Sequence, residues 1–283
     1  MTTTTSGHEL VMPGRAIRLP GTFRVGFARA RIELRNFFRE TDGMLFTFAL
    51  PVLLLLIFGA IFNGNVGNTG VSYRQYFIAG IIASGMMSTT FNILGSQVAV
   101  EREEGTLKRL AGTPMPKTAY FLGKILFATV LTVMETIIML AVGMLVYGLK
   151  LPTQPAQWVT LVWVFLLSVA TCTLLGMAAS TVPRSSRSAA AIISLPYLLL
   201  QFISGVYFPF TTLPKFMQEI AAIFPLKWMC QGLRSVFLPN VALTAEPAGS
   251  WEHWKVALIL LAWGIAGLYL CLTSFRWLSR NDG

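Results

Sequence analysis

Charged residues are scarce in this sequence: they make up 12% of its 283 residues, whereas hydrophobic residues make up 54%. A soluble domain usually carries about a quarter charged residues. The composition therefore argues against a soluble globular enzyme, a disordered chain and a fibrous repeat. Acidic residues are the rarer kind, with 12 against 22 lysines and arginines, so the net charge is +10. In a soluble protein this excess would suggest nucleic-acid binding, but membrane topology must be considered first.

Residues suited to redox, metal or catalytic chemistry are also few. The three cysteines, Cys172, Cys230 and Cys271, are odd in number and scattered, so we expect no disulfide framework and no CxxC metal site. The two histidines, His8 and His253, cannot form a metal cluster with each other or with those cysteines. The sequence has no GxxxxGKS/T, HExxH or GxSxG motif. We therefore expect no catalytic, cofactor-binding or metal-binding residues, and a nucleotide-driven activity would need a second polypeptide that binds ATP.

Long apolar runs, in contrast, are abundant. A helix needs roughly 20 mostly apolar residues to cross a bilayer. Six segments meet this requirement, at about 44–62, 76–100, 119–148, 158–182, 189–208 and 256–278. The glycines and prolines within them are tolerated in a helical bundle inside lipid. The predicted fold is an all-α integral membrane protein with six transmembrane helices, and 42–283 forms its membrane domain.

The distribution of basic residues between the runs predicts the orientation. One side carries seven arginines between residues 15 and 39, four basic residues at 102–117, and Arg184, Arg187, Arg276 and Arg280. The other side carries Arg74, Lys150, Lys215, Lys227, Arg234 and Lys255. Because lysine and arginine collect in cytoplasmic loops, we expect a multi-pass protein of the plasma (inner) membrane with both termini in the cytoplasm. The basic charge is then a topology signal, and nucleic-acid binding is not needed to explain it.

Two segments before the first run differ from each other in pattern. Residues 1–21 are rich in threonine, glycine and proline and are predicted to be a disordered cytoplasmic tail. In 22–41, by contrast, phenylalanines and other apolar residues recur at spacings of three and four, while most arginines fall elsewhere on the helix. This pattern predicts an amphipathic helix in the inner membrane interface. A soluble surface helix is the alternative.

The segment between the last two runs is too polar to cross a membrane. At about 210–240 it is predicted to form two short helices, introduced by Pro214 and Pro225 and folded back on the outer membrane face as a hairpin. Aromatic residues that suit an outer belt follow in this region. They are Trp228, Phe237, Trp251 and Trp254.

The strongest local pattern lies where the second run ends. It comprises Glu101, Arg102, Glu103, Glu104, Gly105, Thr106, Leu107, Lys108, Arg109 and Leu110. Gly105 allows a sharp turn, Thr106 can cap a new helix, and Pro114 ends that helix. We therefore predict a short cytoplasmic helix at about 101–113, with an apolar edge formed by Leu107 and Leu110 and a charged rim, suited to docking. An ordinary charged loop that stops membrane insertion explains the same residues equally well.

Polar side chains inside the predicted spans have two interpretations each. Glu135 is the only acidic residue deep within a span. It is expected either to contact a cationic substrate or the transport pathway, or to be a protonated carboxyl bonded to a neighbouring polar side chain. In the second span Ser84, Ser88, Asn92 and Ser96 recur every four residues on one face. They indicate either close helix packing or a polar route.

Two stretches of this sequence resemble a known family. The motif Glu-Arg-Glu-x-Gly-Thr-Leu-x-Arg-Leu at 101–110, with Thr113-Pro114 and Gly123-Lys124 after it, resembles the signature of ABC-2 type transporter permeases. The motif Ser-Gly-Val-Tyr-Phe-Pro at 204–209, followed by Leu213-Pro214, Pro225 and Leu233-Arg234, is similar to the family's segment between spans five and six. The resemblance covers about residue 20 to the C-terminus. Within the family it is closest in type to daunorubicin-resistance and multidrug exporters.

The resemblance implies a half-transporter. Two such permeases would pair, as a homodimer or a heterodimer, and two copies of a cytoplasmic ABC ATPase would bind beneath them and hold ATP and Mg. It implies that 101–110 is the coupling helix on the ATPase, that 22–41 is the family's N-terminal amphipathic helix, and that the outer hairpin helps to close the exit. The implied activity is efflux of a drug-like or lipid-like substrate, as in antibiotic resistance. Export of polysaccharide or glycolipid, and a secondary transporter or channel without an ATPase, stay as alternatives.

Overall fold

The computed structural model describes residues 21–62, 64–66, 70–183 and 185–273. The predicted tail, apart from Gly21, lies outside this range, as do Arg184, Arg276 and Arg280. In chain order the helices are α1 Thr22–Arg39, α2 Thr41–Ile61, α3 Tyr73–Met87, a π-helical segment Ser88–Ile93, α4 Leu94–Glu103, α5 Thr106–Ala111, α6 Lys117–Tyr147, α7 Pro155–Ala179, α8 Ser186–Ile203, α9 Lys215–Ile223, α10 Pro225–Phe237 and α11 His253–Thr273. The described residues contain no strand, and the prediction of an all-α fold is confirmed.

Among the described residues, five helices are long and apolar enough to cross a membrane, judged by length and composition. They are α2, the continuous helix Tyr73–Glu103, α6, α7 and α11. The predicted fifth span, 189–208, corresponds to α8, which is shorter and ends at Ile203. The chain turns there because Ser204 leaves the helical conformation and Gly205 adopts a positive φ of 78°. The count of six spans therefore stays a prediction.

The helix α3 forms the centre of the bundle. Every residue from Tyr76 to Met87 is buried, because α2, α6, α7 and α10 all pack around it. The continuation of this helix crosses α7 at two glycines. A Cβ atom on Gly95 would lie 2.8 Å from the carbonyl oxygen of Gly176, and one on Gly176 would lie 2.8 Å from those of Thr90 and Phe91. Small residues permit this close approach of two backbones.

Replacing Gly176 with alanine is expected to destabilise the protein by about 1–3 kcal/mol, since the new methyl group would force two backbones apart. Thermal unfolding in detergent measures this loss. The matched control is Gly43→Ala, where the nearest atoms lie 3.5 Å or more from the added Cβ. That change should be neutral or slightly stabilising, as is usual when alanine replaces an unstrained helical glycine. Equal effects of the two substitutions would contradict a tight crossing.

Two helices begin at the predicted prolines. The first, α9, follows Pro214 directly, and α10 starts at Pro225. Nearly all of α10 is buried against α3, α7 and α11. The expectation that Trp228 and Phe237 belong to an outer aromatic belt is therefore wrong, because they are only 4% and 6% exposed. Of the four aromatic residues predicted for the belt, Trp254 is the most exposed, at 65%.

The polar residues of α10 are buried together, which explains why this helix can enter the bundle. Arg234 donates to the carbonyl oxygen of Gly205, pairs with Glu246 at 3.4 Å and stacks 3.8 Å from the ring centre of Tyr76. Lys227 donates to the side chain of Gln231 and lies 3.5 Å from the centre of the Trp228 ring. Burial lowers the pKa of Lys227 to about 8. These contacts tie the turn after α8 and the loop after α10 to the centre of the bundle.

Candidate functional site

A sharp corner separates the end of α4 from the short helix α5. Gly105 makes this corner in the left-handed conformation, with φ 72° and ψ 11°, which glycine adopts without steric cost. Thr106 is already the first helical residue of α5 and does not occupy its N-cap position, so the expectation that it caps α5 is wrong. Gly105, the residue that makes the turn, is the N-cap of α5 instead. Within the predicted range 101–113, the first three residues are the last turn of α4, and the separate helix is α5.

The two leucines of α5 point into the protein. Leu107 is fully buried and Leu110 is half-buried, and both belong to or pack against the main hydrophobic core. The apolar edge therefore anchors α5 to the bundle. The surface that α5 and its corner present outward is charged instead. Its exposed charged residues are Glu103, Glu104, Lys108 and Arg109.

Arg102 and Arg109 reinforce the geometry of the corner. Arg102 donates from Nη2 to the carbonyl oxygen of Pro183, at 2.9 Å, in the loop between α7 and α8. Arg109 donates to the carbonyl oxygen of Glu104 at 3.4 Å, across the Gly105 turn. The corner is thus held both to a neighbouring loop and to itself.

Four charged side chains cluster around Glu101, in the last turn of α4 before the corner. Lys124 of α6 pairs with Glu101 Oε1 at 2.7 Å and with Glu33 Oε2 at 3.0 Å. Arg29 of α1 pairs with Glu33 at 2.7 Å and with Glu101 at 3.3 Å. The Tyr120 hydroxyl donates to Glu101 Oε2 at 2.9 Å. We call Arg29, Glu33, Glu101 and Lys124 the inner ion cluster. It joins α1, α4 and α6 at one point.

The inner ion cluster is balanced and largely removed from water. Lys124 is 1% exposed and Glu33 is 8% exposed, so each would be costly to bury without its partners. Burial opposes the charged form of Arg29, but the carboxylates of Glu33 and Glu101 outweigh this and raise its pKa. Two cations and two carboxylates leave no net charge. The cluster therefore acts as a fixed joint between three helices.

Close packing of α1 on α6 brings this joint together. A Cβ atom on Gly26 would lie 3.0 Å from Leu122, and one on Gly123 would lie 2.9 Å from the side chain of Arg29. Sequence reasoning placed Glu101 at a functional position but missed Arg29, Glu33 and Lys124 as its partners. The available signal was Glu33 itself, the only acid in an otherwise arginine-rich helix.

Glu135 lies in the interior of α6 and is 2% exposed. The Thr89 hydroxyl, in the π-helical segment, donates to Glu135 Oε2 at 2.8 Å. Among the described residues, Glu135 Oε1 has no hydrogen-bond partner. It faces Gly85, where any side chain would collide with it. This geometry fits the interpretation of a carboxyl bonded to a neighbouring polar side chain.

The polar face of the second span turns toward α8. Ser84 lies 3.4 Å from the Tyr197 hydroxyl, and Ser88 follows one turn later, in the π-helical segment. Asn92 accepts a hydrogen bond from Ser194 at 2.8 Å. These bonds support the interpretation that the polar residues pack helices together. Asn92 and Ser194 also border a cleft, so a polar route along these residues is compatible with their packing role.

That cleft, about 750 Å³ in volume, opens between α1, α4, α6 and α8. Asn92, Ser96 and Gln97 line one side, the inner ion cluster lines another, and Phe37 and Phe127 add apolar surface. A cleft of this mixed character can hold an amphipathic molecule. Among the residues described, no group of three or more His, Cys, Asp or Glu side chains could hold a metal ion.

Comparison with known proteins found a matching family and several related permeases. The model of the family ABC-2 type transporter matches residues 27–238. YvfS of Bacillus subtilis (strain 168), which is named "putative transport permease", is 24% identical over 86% of this chain and 93% of its own length. The inner membrane transport permease YadH of Escherichia coli (strain K12) is 22% identical over 75% of this chain and 82% of its own. YbhR of the same strain, named as a probable multidrug ABC transporter permease, is 24% identical over 63% of this chain and 48% of its own length.

Proposed function

The chain belongs to the ABC-2 type transporter family, and on this premise we propose that it is the permease subunit of an ATP-binding-cassette exporter. It would form the pathway for a drug-like or lipid-like substrate, while a separate chain binds and hydrolyses ATP with Mg. The observation that carries the proposal is α5, a short helix with a charged outer surface, anchored by Leu107 and fixed beside the inner ion cluster. Such a helix can receive force from a partner and pass it to three helices at once.

The proposed assembly contains two permeases and two ATPases. Each permease has six spans, with α8 as the fifth, both termini in the cytoplasm and α9 and α10 at the outer side of the plasma (inner) membrane. The outward face of α8 is apolar, with Leu195 60% exposed, Leu199 59% and Phe202 56%. This face suits either lipid or the second permease, which is the same chain or a relative of it.

The proposed coupling runs through the corner at Gly105. ATP binding would bring the two ATPases together and move the charged surface formed by Glu103, Glu104, Lys108 and Arg109. Since Leu107 and Leu110 fix α5 to the bundle, the motion reaches α4 and α6 instead of being absorbed in a loop. Glu101 and Arg102 then carry it to α1 and to the loop before α8. The energy of ATP binding appears as a difference in substrate affinity between the two membrane faces.

The cleft between α1, α4, α6 and α8 is proposed as the inner part of the pathway. Asn92 borders it, Ser88 lies one turn farther along the same helix, and apolar and charged surfaces meet in it. This mixture suits a drug-like or lipid-like molecule, and the name of YbhR points in the same direction. A polysaccharide or glycolipid exporter would use the same architecture. A secondary transporter or channel without an ATPase is the competing class.

Co-purification tests the proposed function most directly. The tagged full chain, extracted in mild detergent, is expected to bring with it an ABC ATPase in equal number, which mass spectrometry of the eluate would identify. A charge reversal on α5, Lys108→Glu with Arg109→Glu, should reduce the recovered ATPase, whereas reversal of the outer residues Lys150 and Lys215 should not. If the chain alone transports a solute in vesicles, the secondary-transporter class replaces this proposal.

Glu135 is proposed to be a neutral packing residue that does not read the charge of the substrate. Glu135→Gln is expected to leave efflux of a fluorescent cationic probe unchanged, because the amide keeps the size of the side chain and can still accept from Thr89. Efflux from intact cells measures this. A selective loss of cationic probes, with neutral probes still exported, would show instead that the carboxylate recognises charge.

A further inference from the structure

The helix α1 has three faces, and within the described part of the chain only one of them packs on the bundle. Gly26, Ala30, Glu33 and Phe37 form the buried face against α6. A second face leaves phenylalanines open, with Phe23 80% exposed, Phe27 67% and Phe38 41%. Exposed phenylalanines in such a row favour contact with an apolar environment, because moving each ring out of water lowers the free energy.

The third face of α1 is a row of arginines. Arg24, Arg31 and Arg35 fall at positions i, i+7 and i+11, which places them on one side of a helix over about 16 Å. All three are exposed and border a shallow hollow together with Phe27, Ala28 and Ile32. Arg39 continues the charge at the end of the helix.

These arginines differ from Arg29, the fifth arginine of α1. Arg29 is paired with Glu33 and Glu101, which uses the single carboxylate that α1 contains. Within the described part of the chain, no ion pair joins Arg24, Arg31, Arg35 or Arg39 to a carboxylate. Four positively charged side chains are therefore exposed next to the exposed phenylalanines of α1.

The position of α1 limits what can cover it. Only Glu40 separates α1 from α2, the first membrane-spanning candidate, so the arginine row cannot lie far from the bilayer surface. An arginine row next to an aromatic row is the pattern of a helix that lies in the headgroup region, with its aromatic rings at the acyl boundary. Positive charge so close to a membrane surface complements anionic lipid headgroups.

We propose that Arg24, Arg31, Arg35 and Arg39 form a binding surface for the phosphates of anionic phospholipids in the inner leaflet, with Phe23, Phe27 and Phe38 seated among their acyl chains. The bound lipid fixes α1 in the plane of the membrane. Because α1 also holds the inner ion cluster through Arg29, the lipid would set the position of the joint that connects α1 to α4 and α6. The inference uses the proposed topology of α1 but does not depend on an ATPase.

Lipid retention by the full chain tests this surface. The protein is reconstituted in vesicles of phosphatidylcholine with one part in three phosphatidylglycerol, extracted in mild detergent, and the retained lipids are quantified by mass spectrometry. We expect phosphatidylglycerol to be enriched over phosphatidylcholine. Arg31→Gln with Arg35→Gln should lower this enrichment by about fivefold for each arginine removed, and salt at about 1 M should lower it for the unaltered protein.

The matched control removes two exposed lysines from the other side, Lys150→Gln with Lys215→Gln, and should keep the enrichment. Equal unfolding temperatures of the two variants show that both are folded. Equal enrichment in both variants overturns the proposal. So does loss of ATPase binding in the arginine variant with lipid retention intact, since the surface would then serve a protein partner. If no ATPase co-purifies but lipid is retained through Arg31 and Arg35, the proposed function fails and this inference stands.

Discussion

Replacing Lys124 with methionine is expected to lower the free energy of unfolding by about 3–5 kcal/mol, the cost typical of removing one partner from a buried ion pair. Methionine keeps most of the apolar volume of the lysine stem, so little of the effect comes from a cavity. The loss arises because Glu33 and Glu101 would stay in a poorly hydrated site with only Arg29 between them. Reversible unfolding in mixed micelles, followed by tryptophan fluorescence, measures the change.

A second substitution separates charge from packing. Lys124→Met combined with Glu33→Gln removes one charge of each sign and leaves Arg29 opposite Glu101, so the double variant should recover a large part of the lost stability. Lys117→Met, at the exposed start of the same helix, should change stability by no more than about 0.5 kcal/mol. If the second substitution adds its own loss in full, the four side chains do not act as one unit.

The sequence predicts the helices well where an uninterrupted apolar run is long enough. The apolar runs at 119–148 and 158–182 correspond to α6 and α7, whose described bounds differ by only a few residues. The prolines at 214 and 225 mark the starts of α9 and α10 because proline fits the first turn of a helix. Apolar runs and helix-starting prolines are local features, so one sequence is enough to recognise them.

The burial of α10 could not be predicted in the same way. Lys227, Gln231 and Arg234 look like a solvent-facing side. Arg234, however, finds its partners in distant segments, at Gly205, Glu246 and Tyr76, and Gln231 donates to the carbonyl oxygen of Ser250. A polar residue is exposed or buried according to whether the fold supplies such partners. Since pairing across long sequence separations is invisible in a one-dimensional pattern, Trp228 was placed at the surface although it lies inside.

The inner ion cluster illustrates the same limit. The motif around Glu101 was recognisable, but its function as a joint depends on Glu33 and Lys124, which are contributed by two other helices. Their convergence needs the glycine contacts between α1 and α6, which appear only in three dimensions. Sequence reasoning therefore identified the short helix but not the ion pairs that join α1, α4 and α6 beside it.

Replacing Gly105 with valine is expected to separate ATP hydrolysis from export. A residue with a side chain is strained by about 1–2 kcal/mol in the left-handed conformation, and a β-branched side chain tolerates it least. Apart from its two chain neighbours, no described residue places an atom within 4 Å of a Cβ at this position, so the strain is confined to the backbone of the corner. The chain can relieve it by opening the turn, which displaces α5 while the bundle stays folded. In vesicles that contain the chain and its proposed ATPase partner, the proposed efflux of a fluorescent probe should fall at least about tenfold, the effect of roughly 1.4 kcal/mol, while ATP hydrolysis continues.

The other end of α5 offers the matched control. Gly112 has an ordinary right-handed conformation, with φ −78°, and a Cβ there would lie 3.5 Å from its nearest neighbour, the carbonyl oxygen of Arg109. Gly112→Val should therefore preserve both activities. Gly105→Asn should fall between the unaltered protein and Gly105→Val, because asparagine tolerates the left-handed region better than other residues with side chains. Full export by Gly105→Val would contradict this role of the corner. It would show that α5 still transmits motion to the bundle when the turn at Gly105 is opened, so that the shape of the turn is not required.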